Sequence, residues 1–236
     1  MIDFSRLSNS CKNNEGIVHV GGELSTENLL NSYSSGVFPW FNANLPVIWW
    51  NPDPRMVLYP KKIKLSKSLK KTIKNTNYKL TINKNFDFVI NNCSRKLTHH
   101  KEDVWITKEM INAYTKLFEL GYAHSIEISE NDEILGGLYG VSLGKVFYGE
   151  SMFSKKTDFS KIALFELAKL LVKYDFKIID CQVSSNHLLS MGAENISRDF
   201  FLKILKRQIL IELLQIDILH IYIYNRRNQY YQEPEI

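Results

Sequence analysis

The sequence predicts an α+β protein with a small N-terminal domain over residues 1–60 and a larger domain, a mixed sheet with flanking helices, over residues 61–236. Three observations lead to this fold class. An aromatic, proline-rich segment closes the N-terminal part, three alternating segments predict an antiparallel meander, and a strand–helix–strand pattern predicts a crossover. With 44% hydrophobic and 23% charged residues, the composition excludes a disordered or collagen-like chain.

The N-terminal part contains one short predicted helix, through Leu29, Leu30 and Tyr33, which is followed by a rigid segment. Thr26 can cap this helix, and Gly36 suits the left-handed residue that follows a helix end. Residues 38–55 then hold three of the four tryptophans and four of the six prolines, which fix the backbone around large rings. Because Trp49 and Trp50 are adjacent in an extended segment, they should face opposite ways and at most one should be core.

Positive charge is concentrated after residue 60. Residues 1–60 have a net charge of −2 and the rest of the chain +7, and residues 61–80 carry eight lysines without one carboxylate. Leu65, Leu69 and Ile73 predict one helix whose opposite side is basic. This side is either a solvated helix face or a phosphate-binding surface for nucleic acid. The lysines concerned, which we call the lysine stripe, are Lys64, Lys67, Lys70, Lys71 and Lys74.

Alternating segments and helical patterns follow the lysine stripe. The three strands of the meander are predicted over residues 123–129, 133–142 and 146–153. Ser160 can cap the crossover helix, which ends near Tyr174, and the strand that follows covers residues 177–183. A helix around residues 199–207 and an alternating strand over residues 214–224 complete the domain.

Two predicted strands place polar residues where their periodicity calls for burial. Asp180 and Gln182 project from the same strand face, so the carboxylate can orient the amide by accepting its N–H. Glu150 lies alongside Tyr148 and Met152 as a single acid in apolar company. A buried acid of this kind needs a partner or a function. An isolated one is more often a satisfied structural residue, but two such segments joined by one crossover favour a site.

Several classes of protein are excluded by the sequence. Its apolar stretches fall short of the roughly 20 residues of a membrane helix, and residues 1–14 lack the features of a secretion signal. The protein is therefore expected in the cytoplasm. Cys11, Cys93 and Cys181 are odd in number and widely spaced, which predicts reduced thiols. None of the histidines has the context of a metal ligand, so no metal is expected.

Ten short blocks occur in one consistent order along the chain, and together they resemble the bacterial leucyl/phenylalanyl-tRNA–protein transferase family. The blocks are residues 21–25 (GGELS), 38–41 (FPWF), 49–55 (WWNPDPR), 105–107 (WIT), 121–125 (GYAHS), 136–140 (GGLYG), 149–154 (GESMFS), 160–161 (SK), 179–182 (IDCQ) and 187–193 (HLLSMGA). The departures are the lysine-rich surface, residues 96–103 and the tail beyond Arg207, and none of them touches a block.

The resemblance implies an enzyme that moves leucine or phenylalanine from an aminoacyl-tRNA to proteins with N-terminal arginine or lysine, which marks them for degradation. It implies a small N-terminal domain followed by an acetyltransferase-like domain, and neither metal nor coenzyme. We expect a monomer. The [Q/R]-x-x-G-x-[G/A] loop, with which acetyl-CoA enzymes hold pyrophosphate, is absent from the sequence, and this favours a different donor. An acyl-CoA-dependent N-acetyltransferase and a non-catalytic RNA-binding module are the alternatives.

The resemblance also implies roles for individual residues. In the catalytic group, Gln182 would accept a hydrogen bond from the attacking amine and Asp180 would orient it. Glu150 would steady the ammonium that forms or attract the cationic acceptor. An apolar pocket for the leucyl or phenylalanyl side chain would consist of Leu138, Phe147, Gly149, Met152, Leu164 and Ile179.

Contacts to the tRNA are implied in the same way. Trp49 and Trp105 would stack on the terminal adenosine, at roughly 1 to 3 kcal/mol per stacked base, and Tyr114 would add a hydrogen bond nearby. The lysine stripe would hold the phosphates of the acceptor stem without reading its sequence.

Overall fold

The structure is a computed structural model that describes residues 2–11, 15–94, 106–209 and 224–225. The helices are α1 (Phe4–Ser10), α2 (Thr26–Ser34), α3 (Lys67–Asn75), α4 (Phe86–Ser94), α5 (Lys108–Glu119), α6 (Phe159–Lys173), α7 (Asn186–Ser190) and α8 (Arg198–Ile209). The strands are β1 (Ile17–Val20), β2 (Phe38–Pro39), β3 (Ile48–Trp50), β4 (Arg55–Leu58), β5 (Lys79–Ile82), β6 (Ala123–Glu130), β7 (Glu133–Leu143), β8 (Val146–Ser154), β9 (Ile178–Gln182), β10 (Glu194–Ile196) and β11 (Tyr224–Asn225). Within these ranges, no helix combines the length and apolar character needed to cross a membrane.

Two sheets organise the chain. The small sheet has the order β1-β3-β2, and the large sheet has the order β10-β4-β9-β8-β7-β6-β5-β11. In the large sheet the neighbours are antiparallel except β8 and β9, which are parallel. The prediction of an α+β fold with a mixed sheet is therefore confirmed.

The meander and the crossover form where the sequence predicts them. Strands β6, β7 and β8 follow one another in the sheet, and α6 then carries the chain from β8 to β9. The predicted cap of α6 is wrong by two residues. The cap position is Asp158, in a left-handed conformation, and Ser160 lies in the first turn. Asp158 makes no side-chain cap hydrogen bond, and the Ser160 N–H in the first turn donates to Ser154 Oγ at 3.2 Å.

Alternation along the central strands divides the core between the two faces of the large sheet. Leu138 and Phe147 belong to the cluster that includes α3 and α6, whereas their neighbours Tyr139 and Tyr148 pack with α4, α5 and the N-terminal segment. Helices therefore cover both faces of the large sheet. Where two neighbouring strands separate, side chains from the two faces can come into contact.

The N-terminal part differs from the prediction in two details. Ser25, rather than Thr26, caps α2 and accepts the Asn28 N–H at 3.3 Å. The helix ends as predicted before Gly36, whose φ is +75°. Strand β4, which follows the rigid aromatic segment, pairs with β9 and β10 in the large sheet. The first 60 residues thus contribute one strand to the larger unit.

The helix of the lysine stripe is shorter than predicted. Leu69 and Ile73 are buried as expected, but Leu65 precedes the helix because Ser66 caps it, accepting the Leu69 N–H at 3.1 Å. Lys64 accordingly lies in the connection before α3. The predicted helix at residues 199–207 is α8, while most of the predicted strand at residues 214–224 falls outside the described residues.

Candidate active site

A cavity of about 560 Å³ opens where the two parallel strands separate. Strands β8 and β9 pair only over residues 146–148 and 178–180, and residues that follow on each strand line the cavity. All six residues of the predicted aminoacyl pocket line it, as do Glu150 and Gln182. The sequence-predicted pocket and two of the three predicted catalytic side chains are therefore brought together at one place.

Glu150 is the centre of a buried hydrogen-bond cluster beside the cavity. The Tyr33 hydroxyl donates to its Oε1 at 2.7 Å, and the Tyr114 hydroxyl donates to its Oε2 at 2.9 Å. Gln182 Nε2 donates to the same Oε1 at 3.0 Å, and the two tyrosine hydroxyls also contact each other. The carboxyl group is thus held from three sides by neutral donors.

Burial controls the protonation of this cluster. It raises the pKa of Glu150 from 4.5 to about 7, and the charge of Asp180 adds to the increase. The donors Tyr33, Tyr114 and Gln182 act in the opposite direction. Burial likewise raises the pKa of both tyrosines, so they remain neutral donors. When Glu150 is protonated, its carboxyl group and the hydroxyls of Tyr33 and Tyr114 carry one proton each. These three protons match the three oxygen–oxygen contacts among the three side chains.

Asp180 does not accept the N–H of the Gln182 side-chain amide, so the predicted direct contact between these two side chains is wrong. Its carboxylate is fully buried and receives Arg55 Nε at 2.8 Å and Arg55 Nη2 at 2.6 Å. Its contact with Gln182 is to the backbone N–H, at 2.9 Å. Gln182 has a φ of +64°, so the strand alternation ends there and the side chain turns to Glu150.

Two residues at this site, Tyr33 beside Glu150 and Arg55 beside Asp180, were missed by reasoning from the sequence. Tyr33 lies on the buried side of α2, where a phenolic hydroxyl needs a partner, and this was the available signal. Arg55 directly precedes the apolar run of β4, and all four residues of that strand are buried. A charged residue at the start of a buried strand indicates an oppositely charged partner.

The residues predicted at the tRNA end are placed differently. Trp49 is fully buried, packs on Phe4 at 4.6 Å between ring centroids and donates from Nε1 to the Gly21 carbonyl. Tyr114 is also fully buried, so neither residue offers a free ring face to a nucleotide. Trp105 lies outside the described residues. Trp40 is 42% exposed.

The lysine stripe is exposed and unneutralised. Its five lysines form no ion pair within the described part of the chain, and four of them lie on α3, away from its buried Leu69 and Ile73. Many lysines elsewhere are paired with acids. These are Lys62, Lys116, Lys155, Lys156, Lys161, Lys169 and Lys177.

Comparison with known proteins identifies the family. The family model of leucyl/phenylalanyl-tRNA protein transferase matches residues 57–206, and the model of its N-terminal domain matches residues 22–53. The chain belongs to the leucyl/phenylalanyl-tRNA–protein transferase family. The resemblance of the ten sequence blocks is thereby confirmed, and the cavity lies within the part matched by the first model.

Relatives of this family align over most of the chain. A leucyl/phenylalanyl-tRNA–protein transferase from Syntrophobacter fumaroxidans is 47% identical over 195 residues, which cover 83% of this chain and 83% of the relative. The one from Idiomarina loihiensis is 47% identical and covers 85% of each chain. The one from Hydrogenovibrio crunogenus is 46% identical and covers 82% of this chain and 76% of its own.

Proposed function

We propose that this chain transfers leucine or phenylalanine from an aminoacyl-tRNA to the α-amine of proteins that begin with arginine or lysine. The observation that carries this proposal is the contact of Gln182 Nε2 with Glu150 Oε1, 3.0 Å long, at the wall of an apolar cavity in a chain of this family. The new peptide bond creates a degradation signal on the acceptor.

The reaction requires orientation more than a strong base. The aminoacyl ester is already activated, and an α-amine with a pKa of about 7.7 to 8.0 is partly free base at neutral pH. Since Gln182 Nε2 is engaged by Glu150, the carbonyl oxygen Oε1 is left to accept an N–H of the attacking amine. The amine nitrogen bonds to the ester carbon and loses one proton, the carbon–oxygen bond to the ribose breaks, and the ribose oxygen takes up one proton. Alignment of this kind lowers barriers by roughly 7 to 11 kcal/mol.

The apolar cavity accounts for the choice of donor. Leu138, Phe147, Leu164 and Ile179 supply branched and aromatic walls, and Met152 is unbranched and adaptable. These properties suit two apolar side chains of different shape. Glu150, near the Gln182 amide, supplies negative charge for the cationic acceptor terminus or for the ammonium that forms during attack.

We extend the proposal to the tRNA and to the architecture. Stacking on an adenosine requires an exposed ring, and Trp40 provides one whereas Trp49 does not. The mixed sheet with helices on both faces is compatible with an acetyltransferase-like domain over residues 61–236, after an N-terminal domain over residues 1–60 that adds β4 to the sheet. We further propose that the enzyme works as a monomer and without a cofactor.

The experiment that tests the proposed function mixes the protein with radiolabelled leucyl-tRNA and peptides that start with Arg, Lys or Ala. Label should enter the first two peptides only. Equal labelling of all three peptides would refute the acceptor preference, and no labelling of any would refute the transfer itself. Thermal stabilisation by coenzyme A would instead support the rival acyl-CoA-dependent activity.

The lysine stripe yields a separate prediction on tRNA affinity. Replacing Lys67, Lys70, Lys71 and Lys74 with alanine should reduce the salt dependence of tRNA binding, by up to about one unit of slope for each phosphate that is no longer neutralised. The measurement is the binding constant over a series of salt concentrations. Four substitutions of Lys116, Lys145, Lys169 and Lys177 provide the control. An equal change of slope in both variants would show that the lysine stripe is an ordinary solvated helix face and not a specific tRNA contact.

A further inference from the structure

Arg55 occupies an unusual position for a charged residue. Its side chain is fully buried, and the guanidinium carbon lies 4.7 Å from the ring centroid of Phe38 and 4.6 Å from that of Phe201. Phe38 belongs to β2 of the small sheet and Phe201 to α8. The guanidinium therefore packs between two rings that lie far apart in the sequence.

Two nitrogens of the Arg55 guanidinium donate to the carboxylate of Asp180. Nε donates to Asp180 Oδ1 at 2.8 Å and Nη2 donates to Asp180 Oδ2 at 2.6 Å, which is the two-bond geometry of an arginine–carboxylate pair. Nη1 reaches Asn51 Oδ1 at 3.4 Å. Because burying two charges is costly and an apolar pair is often at least as stable, stability alone is a weak reason for such a pair.

The same carboxylate oxygen that receives Arg55 Nε also accepts the Gln182 backbone N–H, at 2.9 Å. Gln182 has a φ of +64°, a left-handed conformation that is sparsely populated by residues other than glycine and needs support from its surroundings. In this conformation the Gln182 amide reaches Glu150. A chain of direct contacts therefore runs from Arg55 through Asp180 to the reacting end of the cavity.

We propose that Arg55 is a positioning residue for aminoacyl transfer: through Asp180, it holds the Gln182 backbone in the conformation that directs the carboxamide to Glu150. The inference rests on the proposed role of Gln182. Arg55 does not line the cavity and is not expected to touch substrate. Lysine cannot replace it, because an ammonium lacks the planar fork that binds both oxygens of Asp180.

A double-mutant cycle tests the proposal. Arg55→Lys should lower kcat by about 10-fold or more while the KM for aminoacyl-tRNA changes less than about twofold, since misorientation acts on the chemical step. In a Gln182→Ala background, the same substitution should cause no further loss of kcat. An equal loss in both backgrounds, or an unchanged kcat, would overturn the proposal. Arg198→Lys is the control, because Arg198 is also buried but donates to the Cys11 carbonyl.

Hydrogen exchange provides a readout that does not depend on transfer activity. In Arg55→Lys, exchange of the Gln182 backbone N–H should become at least about 10-fold faster, while amides of β7 keep their protection. Unchanged Gln182 exchange would overturn the proposal even if the wild-type chain transfers leucine. An inactive wild-type chain with faster Gln182 exchange in the variant would refute the proposed function instead. If Arg55→Lys does not fold, Phe201→Leu removes one of the two flanking rings and should change both readouts in the same direction.

Discussion

Replacing Gln182 with alanine should lower the single-turnover rate of leucine transfer by about 100-fold or more. The substitution removes the carbonyl that accepts an N–H of the attacking amine, and with it the contact to Glu150 Oε1. The affinity for leucyl-tRNA should change less than about twofold, because phosphate contacts and the apolar cavity supply most of it. Rapid-quench assays with saturating enzyme give the rate, and a filter-binding titration gives the affinity.

Val183→Ala is the matched control for this variant. Val183 is the next residue, is 43% exposed and does not line the cavity, so its truncation should leave the rate unchanged. If Gln182→Ala instead weakens tRNA binding while the single-turnover rate stays at the wild-type level, Gln182 is a binding residue and its assigned part in the chemistry is wrong.

Replacing Glu150 with glutamine should make the protein more stable at neutral to alkaline pH. The folded-state pKa of about 7 lies above the ordinary value of 4.5, so the folded protein binds the proton more tightly than the unfolded chain does. The free energy of unfolding of the wild type should therefore fall as the pH rises from about 4.5 to 7, by up to about 3 kcal/mol, and then level off. Glutamine keeps the shape and can satisfy Tyr33, Tyr114 and Gln182, so this slope should disappear.

The same substitution should slow the reaction. A glutamine carbonyl accepts the Gln182 amide less strongly than a carboxylate does, and a hydrogen bond to a charged group contributes about 1.5 to 3 kcal/mol, so kcat should fall by about 10-fold or more. The pH–rate profile of the wild type should show one inflection near 7 from Glu150 and another from the acceptor amine. The variant should keep only the second inflection.

Denaturant unfolding at pH 5 and pH 8 and transfer rates over the same range check both expectations. Glu166→Gln is the control, since Glu166 is also buried and accepts from Tyr78 but lies on α6 outside the cavity lining. A Glu150→Gln variant that retains the inflection near 7, or that loses stability at pH 8, would contradict the assignment of that ionisation to Glu150.

Much of the fold follows from local patterns in the sequence. Alternation of polar and apolar residues identified β6, β7 and β8, and helical spacing identified α6 between two parallel strands. The predicted crossover favours adjacent strands for Glu150 and Gln182, and β8 and β9 do pair. The cavity itself could be anticipated only through the family resemblance, because periodicity does not show where two strands stop pairing.

The errors share one physical origin, which is that contacts distant in sequence decide side-chain direction. Strand alternation alone predicts that Asp180 contacts the Gln182 amide. In the structure the Asp180 carboxylate binds Arg55, 125 residues away in the sequence. The left-handed backbone of Gln182 directs its amide to Glu150 instead. The tryptophan pair was correctly expected to face opposite ways. Which ring is buried depends on Phe4, which packs on Trp49 from the start of the chain.

In the proposed mechanism, the donor side chain enters the cavity between β8 and β9, with its ester beside Gln182 and Glu150. A crystal structure with a non-hydrolysable leucyl-adenosine amide tests this placement most directly. The leucyl group should lie between Leu164 and Ile179, and its carbonyl should face the Gln182 amide. A second cavity, lined by Thr26 at the start of α2 and by Glu109 and Asn112 of α5, offers an alternative site. An analogue bound there or elsewhere, with the β8–β9 cavity empty, would contradict the mechanism.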